Sequence, residues 1–223
     1  APTNAPDLVV ASDTGSSSTD DITNINTPTF TVNFDKTDVV VGDMVKLYNA
    51  AGAEIGSKTL DGADVLAGKV NVTVSTALTP DGDHTITAGI TDIAGNESDK
   101  STGIDVTIDT IGEGTVTVNP ITPDDIINLA ESGVTPTAVT GTVTGELSAG
   151  DAITFTVNGT DYSGTVNSDN TSWSVDVATA DLLADLDFTV TATGTDVAGN
   201  PISATVLSEH TVDTDKPDAP TNA

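Results

Sequence analysis

The feature that most limits what this 223-residue chain can become is that it repeats itself. Asp20 to Asn24 (DDITN) returns 104 positions later at Asp124 to Asn128 (DDIIN). Thr91 to Asn96 (TDIAGN) returns at Thr195 to Asn200 (TDVAGN), and Val106 to Thr110 (VTIDT) is echoed at His210 to Thr214 (HTVDT). One displacement that fits three separated places means two homologous modules, each long enough to bury a core of its own. The expected modules are residues 1–110 and 111–215, with 216–223 as a linker to a further repeat. Ala1 to Ala5 (APTNA) recurs as Ala219 to Ala223, so the sequence reads as a pair taken from a longer alternating array. Its two junctions are expected to differ, because extra residues around Pro6 and Ser12 to Thr19 precede the first acidic motif and have no counterpart before the second.

Within each module apolar residues alternate with polar ones, the pattern of strands with one wet face. The first module shows it at Phe30, Val32 and Phe34, at Val45 and Leu47, at Val70 to Val74, at Ile86 to Ile90 and at Ile104 to Ile108. The second shows it from Val139 to Val143, at Ile153, Phe155 and Val157, at Trp173 to Val177, at Phe188 and Val190, and at Val206 and Val212. About seven short strands per hundred residues, with Gly, Asp and Asn between them, predict an all-β fold of two Greek-key sandwiches arranged end to end. Trp173 amid alternating valines is expected to anchor the second core rather than to offer a sugar-stacking platform. In a sandwich of this kind the A–B loop and the end of strand G share one pole, and the F–G loop lies at the other.

The charge balance then points to a cation. Six Lys and Arg stand against 34 Asp and Glu, a formal charge of -28, which makes nucleic acid and anionic membrane poor partners. With no cysteine there are no disulfides, thiolate metal sites or cysteine nucleophiles. No apolar run approaches the length of a membrane span. The acidic residues of the repeated motifs fall at the predicted poles. Asp13, Asp20, Asp21 and Asp109, with Asp196 and Asn200 of the second F–G loop, are expected at the inner junction. Asp124, Asp125, Glu131, Asp213 and Asp215 form the outgoing set, and Asp7, Asp92 and Asn96 stand at the incoming end. Calcium takes six to eight oxygens and tolerates irregular loops, so it suits such donors better than zinc or copper, while neither His84 nor His210 is expected to be a ligand. The competing reading is that Asp and Asn cap their own turns, and no EF-hand pattern is present.

SDTGSSSTDDITNINTPTF, DGDHTITAGITDIAGNES and VTIDT in the first module resemble the bacterial immunoglobulin-like repeats of large type I-secreted RTX and biofilm-associated adhesins. PDDIINLAESG, GDAITFTVNGTDYSGTV, SWSVDV and TDVAGN in the second resemble a sister repeat of the same proteins. The resemblance covers nearly the whole chain. It implies immunoglobulin-like modules in a monomeric extender at the bacterial cell surface, outside the cell, which bind Ca2+ where neighbouring modules of the same chain meet. Such arrays hold a distal adhesive domain away from the cell for adhesion or biofilm formation. By motif matching it makes Asp13, Asp20, Asp21, Asp92, Asp109, Asp125, Glu131, Asp196, Asp213 and Asp215 candidate ligands. Two departures stand out: Thr27 occupies the position matching Glu131, and Asp109 is followed by Thr-Ile-Gly-Glu-Gly, so that Glu113 becomes a substitute ligand. A module that binds carbohydrate, protein or ice through loops or an exposed sheet face is the alternative, invited by Thr85/Thr87 and Thr191/Thr193. Catalysis is not expected, because the carboxylates recur in tandem loops without aromatic or Arg partners to grip a substrate.

Overall fold

The computed structural model describes residues 1–218. Ala219 to Ala223, part of the expected linker, lie outside the described residues. The chain divides into two compact units, one of Ala1–Ile111 with Val197–Asn200 and one of Gly112–Asp196 with the segment from Pro201 onward.

The first unit contains β1 (Asp7–Leu8), β2 (Ile22–Thr23), β3 (Thr29–Asn33), β4 (Met44–Tyr48), β5 (Glu54–Thr59), helix α1 (Gly62–Ala67), β6 (Lys69–Thr73), β7 (Gly82–Thr91) and β8 (Ile104–Ile108). They form a three-stranded sheet in the order β1-β3-β6 and a five-stranded sheet in the order β2-β8-β7-β4-β5. The first strand of the sandwich is thus split between the sheets: β1 runs antiparallel to β3, and β2 runs parallel to β8. Alternation places Phe30, Val32, Val45, Leu47, Val70, Val72, Ile86, Ala88, Val106 and Ile108 in one buried cluster between the sheets. The segment between β1 and β2, which holds the extra residues of this module, carries the chain from one sheet to the other. His84, at the start of β7, bonds the carbonyl of Pro80 at 2.8 Å through Nε2. This resembles the corner in which a Tyr at the start of strand F bonds backbone a few residues upstream.

The second unit contains β9 (Gly114–Val116), β10 (Ile126–Asn128), β11 (Thr137–Gly145), β12 (Ala152–Val157), β13 (Thr160–Thr165), β14 (Ser172–Val177), helix α2 (Thr179–Ala184), β15 (Asp187–Thr195), β16 (Pro201–Glu209) and β17 (Thr211–Asp213). Sheets of order β14-β11-β9 and β13-β12-β15-β16 enclose its core, and β10 pairs in parallel with β17 as β2 does with β8. Trp173 lies in this core with Phe155, Phe188 and Leu182. It faces Gly141 across β14 and β11, and its indole N–H donates to the carbonyl of Thr117 at 3.1 Å. A Cβ at Gly141 would stand 1.9 Å from that carbonyl oxygen and 2.6 Å from the indole nitrogen, so only glycine admits the ring here.

Two edge strands and two short helices are absent from the alternation in the sequence. β5 (EIGSKT) and β13 (TDYSGT) each pair on one side alone, and an edge tolerates Gly, Lys, Asp and Ser because only one flank must be satisfied. Helix α1 buries no residue and is held at its ends. Asp61 Oδ1 accepts from the Ala63 and Asp64 amides, Asp64 Oδ2 accepts from the Asp61 amide, and Gly68 closes the helix at φ 73°. Helix α2 instead buries Leu182 and receives His210 Nε2 on the Leu182 carbonyl at 2.8 Å. Both histidines therefore spend Nε2 on a backbone carbonyl, and His210 also packs edge-on against Phe188.

Candidate metal centre

The A–B segment of the first unit is a chain of tight turns because Ser, Asp and Thr side chains repeatedly take up backbone amides. Ser12 and Asp13 donate their amides to the Val9 carbonyl, and Ser12 Oγ accepts from the Thr29 amide at 3.0 Å. Thr14 Oγ1 accepts from the Asn24 amide at 2.9 Å, which draws the two ends of the loop together. Asp21 takes a left-handed conformation, φ 58°, at the entry to β2, and its carbonyl accepts the Thr107 amide of β8. These turns gather carboxylates without bringing a positive side chain among them.

Asp13 is only 6% exposed, and its Oδ1 has no hydrogen-bond partner. Burial first, and then the charges of Asp20 and Asp21, hold its carboxyl above the ordinary aspartate value, with a backbone hydrogen bond from Asp21 opposing them. Burial, then Asp7, then Asp20 raise Asp21 likewise. Four aspartates, Asp7, Asp13, Asp20 and Asp21, thus form one electrostatically coupled group. This corrects the placement of Asp7 expected from the sequence, at the incoming end beside Asp92 and Asn96. β1 pairs Asp7 with Thr31, and there its charge acts on Asp21.

A raised carboxyl in the folded state means that the folded chain binds protons the unfolded chain does not, above the ordinary value of 3.8. Stability in chelator therefore rises as the pH is lowered from neutral toward that value. With calcium bound the carboxylates must be ionised, so the slope inverts. Calorimetry across this pH range with and without calcium checks both signs. A Asp13→Asn chain that keeps the chelator slope would show that the group is not its cause.

The other candidates are placed differently. Asp92 Oδ1 accepts from the Ala94 and Asn96 amides at 2.9 and 2.8 Å, and its Oδ2 accepts from Asn96 Nδ2 at 2.8 Å. The Asn96 side chain, foremost, keeps the Asp92 carboxyl below its ordinary value. Asp92 and Asn96 thus close the exposed F–G turn upon itself. Asp196 and Asn200 are buried, and within the first unit Asn200 Nδ2 donates to the Asp109 carbonyl at 2.8 Å. Asp109 Oδ1 accepts from the Ile111 amide at 3.3 Å.

In the second unit Asp125 repeats the left-handed turn, φ 60°, but its Oδ1 accepts from the Ile121 amide at 2.8 Å. Asp124 caps Ile126, and Glu131 Oε2 accepts from the Asn128 amide at 3.0 Å. Asp213 Oδ1 accepts from the Asp215 amide at 3.1 Å, and the Glu113 amide donates to Glu146 Oε2 at 2.7 Å. The backbone of the acidic motif recurs, yet no buried residue answers to Asp13, because the second module lacks the extra segment that carries it.

Asp43 was not singled out from the sequence. Asp43 is 4% exposed, and its Oδ1 also has no partner. The signal was present, since Gly42-Asp43 before β4 recurs as Gly150-Asp151 before β12.

Residues 1–110 match the family model described as bacterial Ig-like domain. A structure described as a 1.5-MDa bacterial ice-binding adhesin, studied for host cell surface retention, is 32% identical with a TM-score of 0.65. The match covers 94% of this chain and 64% of that one. A Ca2+-stabilized adhesin that helps an Antarctic bacterium bind ice is 33% identical with a TM-score of 0.58, over 96% of this chain and 50% of that one. A bacterial immunoglobulin-like domain of the M. primoryensis ice-binding adhesin is 49% identical over 46% of this chain and all of that one, with a TM-score of 0.43. The chain therefore spans less than two thirds of the length of the first and second of these structures. No curated protein matches it.

Proposed function

The chain belongs to the bacterial Ig-like domain family, and on that premise we propose that it is a stalk segment of a large adhesin whose modules are stiffened by calcium. In this reading the two units are scaffolds, without catalytic activity, outside the cell at the bacterial surface. They hold a distal adhesive domain away from that surface, and calcium at the junctions between modules limits bending. The observation that carries the reading is the group Asp7, Asp13, Asp20 and Asp21, in which buried Asp13 keeps an unpartnered oxygen beside the like charges of Asp20 and Asp21, and Asp21 in turn feels Asp7. A buried carboxylate oxygen without a donor is costly, and a divalent cation relieves both that cost and the repulsion. The donors are oxygens alone, which suits calcium. Asp13 and Asp21 would hold the ion, Asp20 would complete its charge balance, and water would fill the remaining positions.

The test is small-angle scattering on the 223-residue chain in excess calcium and in excess chelator. Calcium is expected to narrow the distribution of end-to-end distances and to lengthen its mean. Identical profiles in the two conditions would remove calcium stiffening from the account.

A further inference from the structure

We propose that Asn158, in the turn between β12 and β13, is a site of spontaneous deamidation, and that this modification releases helix α2 from the hairpin to which it is fastened. The proposal concerns the second unit alone and does not depend on calcium.

Asn158-Gly159 is the only Asn-Gly pair in the chain. β12 ends at Val157 and β13 begins at Thr160, so the two residues are the whole turn, and both take positive φ, 50° and 76°. A two-residue hairpin turn of this kind selects Asn followed by Gly. The same pairing is reactive, because the amide nitrogen after an Asn reaches the side-chain carbon and glycine puts no side chain in its way. Both residues are exposed, and no atom beyond the chain neighbours lies within 4 Å of where a Gly159 Cβ would stand. Among the described residues the Gly159 amide donates no hydrogen bond. That nitrogen, once it has lost its proton to hydroxide, attacks Asn158 Cγ. The Cγ–Nδ2 bond breaks, ammonia leaves, and a five-membered imide remains. Water then opens the ring, at Cγ to give aspartate or at the main-chain carbonyl to give isoaspartate, in which the backbone runs through Cγ.

Two other asparagines supply the contrast. Asn170 also takes a left-handed φ, 59°, but the β-branched Thr171 follows it, and the Thr171 amide is held on Asp169 Oδ1 at 2.9 Å. Asn200 precedes Pro201, whose nitrogen carries no proton to lose.

The consequence follows from what Asn158 holds. Its Nδ2 donates to Asp181 Oδ1 in α2 at 3.1 Å, and its amide donates to Asp185 Oδ2, just past α2, at 2.7 Å. Asp181 also accepts the Tyr162 hydroxyl at 2.6 Å, and that bond first, then the one from Asn158, keeps its carboxyl below the ordinary value. An ionised carboxylate at position 158 has no proton to donate and stands against two like charges. Isoaspartate adds a carbon to the backbone of a two-residue turn and so shifts the amide that Asp185 holds. Helix α2 carries buried Leu182, whose carbonyl receives His210, so loosening at its surface reaches the core.

Peptide mass mapping, with isoaspartate labelled by its methyltransferase, on the folded 223-residue chain aged in warm, mildly alkaline buffer tests the reaction. The peptide holding Asn158 is expected to gain one mass unit and to divide between aspartate and isoaspartate, while the peptide holding Asn170 stays intact. The melting transition of the second unit should fall by about 5 °C, and that of the first should not move. Asn158→Gly accommodates the positive φ and cannot deamidate, so ageing should leave its melting unchanged. Asn158→Asp should melt below Asn158→Gly, because it adds repulsion to the lost hydrogen bond. If the Asn158 peptide of the folded chain keeps its mass while that of the chain in denaturant does not, the turn protects the residue and the site is overturned. If Asn158 deamidates but the aged chain and Asn158→Asp melt as the fresh parent does, the release of α2 is overturned.

Discussion

If calcium is bound as proposed, stripping it from this chain is expected to lower the melting temperature of the first unit by about 10 °C, and Asp13→Asn is expected to erase most of the difference. A ligand that binds only the folded state stabilises it by about 2.7 kcal/mol when present at 100 times its dissociation constant. For a unit of this size one kcal/mol corresponds to roughly 4 °C. The effect should be confined to the first transition of the melt. Asp13 is buried with an unpartnered oxygen, whereas the second unit meets the same backbone turn with Asp125 bonded to the Ile121 amide. In chelator the sign reverses, and Asp13→Asn is expected to be more stable than the parent because a like charge has been removed from beside Asp20 and Asp21. Calorimetry of both chains in calcium and in chelator reads all four values. A calcium-dependent shift of equal size in the two chains would exclude Asp13 from the site.

Trp173→Ala should cost the second unit about 3–5 kcal/mol, a large part of the stability of an ordinary domain, and leave the first unit unchanged. The ring is 1% exposed, stands 6.2 Å from Phe155 between centroids, and donates to the Thr117 carbonyl. Its removal opens a cavity opposite Gly141, which has no side chain with which to fill it, and leaves the Thr117 oxygen without its indole donor. Trp173→Phe keeps most of the volume and loses the hydrogen bond, so it should fall between parent and Ala. Because this is the single tryptophan, unfolding is best followed by circular dichroism in denaturant and fitted as two transitions. One shared transition that shifts as a whole would contradict the independence of the two cores.

Most of the sandwich was legible in the sequence because its central strands are buried on one face only. Phe30 and Val32, Val70 and Val72, and Ile153, Phe155 and Val157 declare that face at every second residue. β5 and β13 did not, since strands paired on one side need no such pattern. Helix α1 did not either, because it buries nothing and is specified by caps at Asp61 and Gly68. The acidic motifs could be located from the sequence, but their chemistry could not. Asp92, Asp124 and Glu131 read the same as Asp13 in a one-dimensional pattern, and the structure uses each of them to close its own turn.

The sequence by itself determined the repeat, the all-β character and the density of carboxylates in the loops, because periodicity and composition are properties of the chain. The tertiary structure decided which carboxylates are buried and which have donors. Asp13 and Asp43 are each buried with one unpartnered oxygen, and Asp7 owes its place beside Asp21 to pairing with β3. Desolvation and charge coupling depend on separation in space, and no spacing along the chain encodes them.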